Sequence, residues 1–220
     1  MVTISALIAR VAPDAVPVYV RAFAAGDALL RAHGINQPLR LAHFLTQVLH
    51  ATGRGTMLFE FLYFTAPARL LARFGEGNHV AAIRAEEVAG LLRNERGLAE
   101  RVYGLGNPAM ARELGNSEPG DGWRYRGGGL LQTSGRANFR RLSGLAGVDY
   151  EANPDLIVDR AYALLPAVQA WCNGGLNIAA DRNDIVAITR TLTGGLNGLA
   201  ERRDLFGEIR AVADTLALAA

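Results

Sequence analysis

The stretch that most constrains this chain runs from Leu41 to Phe64, an apolar helix pattern interrupted by Gly53 and Gly55. On a 3.6-residue period Leu41, Leu45, Val48 and Leu49 form a stripe that must be buried, and His43, Gln47, His50 and the small Ala51 fall on the opposite side. Polar groups held in such a helix cost desolvation energy unless they meet water, a partner or a ligand. Past the glycines, Glu60 stands among Met57, Leu58, Phe59, Phe61, Leu62 and Phe64. A carboxyl buried in those surroundings has a raised pKa, which is the setting acid/base chemistry needs. Only one carboxylate is present in the run.

The 220 residues, half of them hydrophobic, suffice for one compact domain, or two lobes sharing a core, and we expect a single domain over 1–220. No window approaches 18 uninterrupted apolar residues, so no membrane insertion is expected. Met1-Val2-Thr3-Ile4-Ser5 has no basic flank before a long apolar run, so no secretory signal is expected, and a protein made in the cytoplasm would need another export route. A formal charge of +2, from 23 basic against 21 acidic residues, argues against a nucleic-acid binder, which concentrates basic charge on one face. Every basic residue is Arg; the absence of Lys excludes Schiff-base chemistry on Lys and a P-loop Lys. Cys172 is the only cysteine, so neither an intramolecular disulfide nor a Cys-rich zinc site can form. Beside Trp171 on an apolar helix it reads as a buried, inert thiol, with a Cys–His nucleophile as the alternative. His43 and His50 do not form H-E-x-x-H, and we expect neither metal nor organic cofactor.

Taken in order, Ile4 to Val11 and Val16 to His33 read as two helices, followed by the organising helix with Pro38 in its first turn. Ala68 to Phe74, His79 to Asn94 and Leu98 to Tyr103 follow, with Arg84, Glu86, Glu87, Arg93, Glu95 and Arg96 as a solvated charged face. From Gly104 to Gly129 the pattern turns to Gly, Asn, Pro and Asp. Within it Asp121 to Gly129 reads as a small hairpin or extended loop, whose three glycines let backbone approach a ligand closely. A helix through Leu142, one from Leu156 to Cys172 with a kink at Pro166, one from Asp184 to Leu192 and a last one from Glu201 to Leu216 complete a mainly helical chain.

Four blocks, in order, resemble glycoside hydrolase family 19, the chitinases and their short phage-endolysin relatives. They are P-L-R-L-A-H-F-L-T-Q-V-L-H (Pro38 to His50), the Glu60 segment, D-G-W-R-Y-R-G-G-G-L-L-Q-T-S-G-R-A-N-F (Asp121 to Phe139) and T-R-T-L-T-G-G-L-N-G (Thr189 to Gly198). The resemblance implies a mainly α, two-lobed lysozyme-like fold with a small β element near 121–132 and a central substrate cleft. It implies hydrolysis of β-1,4 bonds beside N-acetylglucosamine with inversion, by two glutamates. The general base falls on Glu60. The general acid falls on position 51, which is Ala51 here. Glu113, Glu118 and Asp121 stand near the implied cleft loops, and none matches the motif. Ala51 is either a replaced Glu in an active enzyme or a natural loss in a sugar-binding pseudoenzyme.

By the same resemblance Gln132, Ser134 and Asn138 bind sugar and hold the attacking water; alternatively Ser134 caps the helix that follows. Trp123 and Tyr125 either stack on sugar rings or pack in a core. Thr193 stands where the family has Asn, and Asn197 is either a sugar contact or a turn residue. Arg202 either lines the cleft and biases a catalytic carboxylate or is a surface residue of R-R-D. His50 is expected to orient the Glu60 region by hydrogen bonding. The implied partner is a peptidoglycan or chitin oligosaccharide, peptidoglycan being favoured. Action at the cell wall would follow phage lysis or specialised secretion, the latter with an immunity protein. The rivals are a non-catalytic binder of such polymers and a structural or inhibitory protein.

Overall fold

A computed structural model describes residues 4–77 and 80–218, so Met1 to Thr3 and His79 lie outside the described residues. The chain divides into two compact units, Met1–Leu58 with Gly129–Leu131 and Asp155–Ala220, and Phe59–Gly128 with Gln132–Pro154.

The first unit is built on the helix Pro38–Ala51. Pro38 starts it, since a first-turn proline forfeits no intrahelical bond, and Thr52 ends it by donating its hydroxyl to Val48 O at 2.7 Å while accepting from Gly55 N at 3.0 Å. The expected one-sided stripe is corrected here: every residue from Ala42 to Leu49 is buried, His43 and Gln47 included. Packing by the helix Leu199–Leu218 causes this, with the Phe206 ring stacked on His43 at 4.1 Å. His43 Nε2 lies 2.8 Å from Asn183 Oδ1, and the Gln47 amide reaches Thr189 Oγ1 at 3.4 Å. On the other side Phe44 meets Trp171 edge-on at 5.5 Å, within a core that also takes Ile4, Leu7, Ile8, Tyr19, Phe23 and Leu45.

The helix expected over Val16 to His33 is two, Pro17–Ala25 and Asp27–Ala32. The break falls at Gly26, where a Cβ would stand 2.2 Å from Leu164 Cδ2. Leu156 to Cys172 is likewise divided, into a 3₁₀ turn Pro154–Val158 and a helix Leu164–Asn173. Pro166 therefore sits in a first turn, where its missing N–H costs nothing, and no kink is required.

The second unit packs Leu62, Phe64, Leu70, Phe74, Ile83, Leu98 and Val102 into its own core. Its helices include Pro67–Phe74, Glu95–Tyr103 and Arg136–Ala146. Asn94 caps the second of these by accepting from Gly97 N at 2.9 Å. The described part of the helix expected over His79 to Asn94 is a 3₁₀ turn, Ala85–Glu87, and one α turn, Val88–Leu91. Glu87, expected on a solvated face, is half-exposed and paired with Arg101. The hairpin reading of 121 onward is also corrected, because Asp121–Arg124 is a helical turn. The small β element is a pair of antiparallel bridges from Gly128, to Phe59 and to Thr133.

Candidate active site

The predicted site residues divide between the two units, and each set is built by its own fold. In the second unit Glu60 sits on an extended segment fixed by its own N–H donating to Gly127 O at 2.9 Å. Its half-buried carboxylate accepts from the Tyr103 hydroxyl at 2.8 Å on one oxygen and from Gly127 N at 2.8 Å on the other. Burial pushes the Glu60 carboxyl above the ordinary range; the Gly127 and Tyr103 hydrogen bonds and the Arg73 and Arg126 charges oppose that without cancelling it. Two donors orient the group and leave further lone pairs on each oxygen for a water or a sugar hydroxyl.

The glycine run explains part of this arrangement. A Cβ on Gly127 would stand 3.3 Å from Glu60 Oε1, a tight approach, and 3.5 Å from Gln132 Oε1, an ordinary contact, so the bare backbone chiefly gives the Glu60 carboxylate room. Gln132 adopts a left-handed φ of 52° that side chains rarely take, the kind of local strain that gathers at functional positions. Gly129 serves packing instead, since its Cβ would meet Ile157 Cγ1 at 2.7 Å.

The neighbouring predictions fare unevenly. Tyr125 is 1 % exposed, donates its hydroxyl to Glu151 O and packs on Phe139, so it is a core residue and not a sugar platform. Trp123 is half-buried with the Arg126 guanidinium 3.9 Å over its ring, and the same guanidinium lies 3.9 Å from the Phe59 ring, which occupies that indole face. Ser134 makes no cap: the N-cap of Arg136–Ala146 is Gly135, without a side-chain bond. Asn138 is spent locally, its amide N–H donating to Ser134 O at 2.7 Å and its Oδ1 accepting from Arg141 Nη2 at 3.0 Å. Asp121 is structural, buried against Arg136 and the Ser117 and Glu118 N–H groups.

In the first unit His50 and Ala51 are the last residues of the helix, both half-buried. No hydrogen bond to the His50 imidazole is found among the described residues. The ring lies instead against Gly198, where a Cβ would come within 2.5 Å of Cε1. The hydrogen-bonding role expected of His50 is thus replaced by a packing contact that requires glycine in the Thr193 to Gly198 turn. Burial, then the Arg202 charge, lower the His50 pKa, with Glu201 opposing. Thr193 donates its hydroxyl to Thr189 O at 2.9 Å, and Asn197 is exposed. Arg202 is 5 % exposed, which removes the surface reading. A cavity of about 370 Å³ lies between His50 and Arg54 on one side and Glu201, Asp204 and Glu208 on the other. Cys172 is half-buried, not fully buried as expected, and that burial pushes its thiol pKa up. Among the described residues no group of three or more His, Cys, Asp or Glu side chains is arranged to hold a metal ion, and no helix is long and apolar enough to cross a membrane.

Sequence reasoning missed Tyr103 and the two arginines around Glu60. Tyr103 is 43 residues from its partner, and nothing local in R-V-Y-G announces it.

Comparison with known proteins supports the family resemblance. No protein-family model matches the chain. A glycosyl hydrolase family 19 domain-containing protein of Haemophilus influenzae is 35 % identical over 97 residues, 43 % of this chain and 43 % of that relative, so the match spans less than half of each. Among solved structures, a bacterial family 19 chitinase superposes with a TM-score of 0.61 at 16 % identity, covering 97 % of this chain and 95 % of that one. Chitinase C from Streptomyces griseus HUT6037 gives 0.60 at 17 %, covering 96 % and 76 %. The mostly helical fold is that of the family 19 chitinases.

Proposed function

We propose that this chain carries the frame of an inverting glycosidase acting on β-1,4 bonds of an N-acetylglucosamine-containing polymer, peptidoglycan before chitin, with position 51 lacking its acid. The observation that carries the reading is Glu60: a carboxylate oriented by Tyr103 and Gly127 and raised in pKa. In that role Glu60 takes a proton from water as the water oxygen bonds to the anomeric carbon, and the leaving oxygen must receive a proton from a second carboxyl. Inverting enzymes place the two carboxyls about 6.5–9.5 Å apart. The methyl of Ala51 has no proton to give, and a positioned acid contributes roughly 10²–10⁴-fold, so the chain as it stands is nearly inactive.

The preference for bacterial wall follows the resemblance to compact endolysins. Delivery by phage lysis or by specialised secretion, the latter with an immunity protein, belongs to the same proposal. The test is Ala51→Glu on purified sacculi and on chitin. New reducing ends from sacculi, abolished by adding Glu60→Gln, are the expected result; a folded Ala51→Glu protein that releases none from either polymer ends the proposal. A second reading rests on Ala51 itself. If that alanine is native, the chain is a non-catalytic binder, and calorimetry would show muropeptide or chito-oligosaccharide binding while Ala51→Glu yields no turnover.

A further inference from the structure

The extended segment that carries Glu60 has a second edge. Glu60 N donates to Gly127 O at 2.9 Å and Phe64 O accepts from Arg93 N at 2.8 Å, so the even-numbered residues turn their main-chain groups to one side. Along an extended strand successive residues point those groups to opposite sides, and the N–H and C=O groups of Phe59, Phe61 and Tyr63 therefore face the other way. Among the described residues no hydrogen bond reaches any of them. Solvent must satisfy them, because a buried main-chain group left unpaired is costly. The side chains alternate too: Leu62 and Phe64 enter the core, whereas Phe61 is 61 % and Tyr63 41 % exposed.

An open edge beside exposed rings is a template for another extended chain. Its donors and acceptors recur at every second residue, about 6.5 Å apart at the rise of a strand, which is the repeat of an extended peptide's own main-chain groups. Cations stand at both ends. The Arg126 guanidinium lies 3.9 Å from the Phe59 ring. At the other end Phe61 meets Phe64 at 5.5 Å, Phe64 meets Phe74 at 6.0 Å, and the Arg73 guanidinium lies 5.3 Å over the Phe74 ring. The Glu60 carboxylate is turned to the Tyr103 hydroxyl instead. This charge pattern favours an acidic occupant over a neutral one.

We propose that the edge formed by Phe59, Phe61 and Tyr63 binds an extended acidic peptide, the short peptide that bacterial wall glycan carries and chitin lacks. The peptide adds as a strand and exchanges main-chain hydrogen bonds with Phe61 and Tyr63. Its apolar side chains rest on their rings, and its carboxylates lie towards Arg73 and Arg126. Phe59 and Phe61 flank Glu60 in the chain, so a glycan held at that carboxylate brings its peptide to the edge. The site rests on the wall-polymer part of the proposed function and deepens it, making the peptide the source of the preference for wall over chitin.

The test reads binding to the chain with Ala51 in place, so it does not depend on turnover. Calorimetry compares the wall disaccharide bearing its peptide with the same disaccharide stripped of it and with chitotetraose. The peptide-bearing form binds about tenfold more tightly than either, the equivalent of about one net hydrogen bond. Tyr63→Pro, which removes an N–H that no native bond uses, erases the difference. In the unsubstituted chain hydrogen exchange of the Phe61 and Tyr63 amides slows with the peptide-bearing form only, a measurement that stands if Tyr63→Pro fails to fold. Equal affinities for the three, no binding by any, or a folded Tyr63→Pro that keeps the full difference overturns the proposal. So does equal amide protection by the peptide-free sugars, which would make the edge a sugar site. If Ala51→Glu cleaves sacculi while any of these results holds, the glycosidase stands without this site. If it cleaves neither polymer while the tenfold difference persists, the site stands and the hydrolase falls.

Discussion

Asp121 and Glu60 belong to the same unit, and the fold treats these two carboxylates in opposite ways. Asp121, 2 % exposed, accepts on its two oxygens from Nε and Nη2 along one edge of the Arg136 guanidinium, and from the Ser117 and Glu118 N–H groups at 2.9 and 3.0 Å. Burial pushes its carboxyl up, but the Arg136 hydrogen bond, the Glu118 and Ser117 N–H groups and the Arg136 charge outweigh it and hold the group below the ordinary range. Glu60 has one neutral donor on each oxygen, its cations act from further away, and burial prevails. A carboxylate with every need met is a structural pin. One left partly unmet keeps lone pairs and a proton affinity to use on something else.

The largest effect expected from this contrast is on Asp121. Asp121→Ala leaves Arg136 without its buried partner and should lower unfolding free energy by about 3–5 kcal/mol in urea titration; a loss as small as that of a surface pair would erase the distinction. Tyr103→Phe removes a donor that favours ionised Glu60, so the Glu60 pKa should climb further by carboxyl ¹³C NMR. Stability at pH 7 should fall by about 1.5–3 kcal/mol, the range for a hydrogen bond to a charged group, with much less lost at pH 4.

Glu60→Gln sharpens the comparison through its sign. The folded pKa lies above the unfolded value of 4.5, so the cost of ionising Glu60 is absent below that value and accrues as pH rises through the folded pKa. The Gln variant should therefore gain urea resistance over the parent at pH 7 and lose that gain at pH 4, by a fraction of the Asp121 effect. The smallest change tests whether pairing or burial makes Asp121 strong. Glu87 is held at about 2, first by the Arg101 hydrogen bonds and then by Arg84 N, yet lies near the surface. Its contribution is present above 4.5 and is lost as pH falls towards 2. Arg101→Gln should remove it at a cost of about 1 kcal/mol or less.

The helix Pro38–Ala51 was legible because its apolar spacing and first-turn proline are local signals, and Glu60 because a lone carboxylate in an aromatic run is conspicuous. The burial of His43 and Gln47 was not legible. A helix period says which side must be covered and is silent on whether a second element covers the other. Likewise Gly26 looks like a tolerable interior glycine until Leu164, far along the chain, occupies the space of its Cβ. The glycines of 127–129 were recognised as places of close approach, but their targets, Glu60 for the first and Ile157 for the last, are tertiary neighbours. Tyr125 and Trp123 illustrate the same limit, since an aromatic in a mixed loop has no local mark of core or surface.

What the sequence alone determined is the helical class, the lone carboxylate at 60, the alanine at 51 and the order of blocks that resembles family 19, all properties of residue type and spacing. The tertiary structure decided which charges are answered. Arg136 reaches Asp121, Tyr103 and Gly127 reach Glu60, and nothing among the described residues reaches Arg202. Electrostatic energy depends on distance and dielectric between groups remote in the chain, and those are set only when the helices pack.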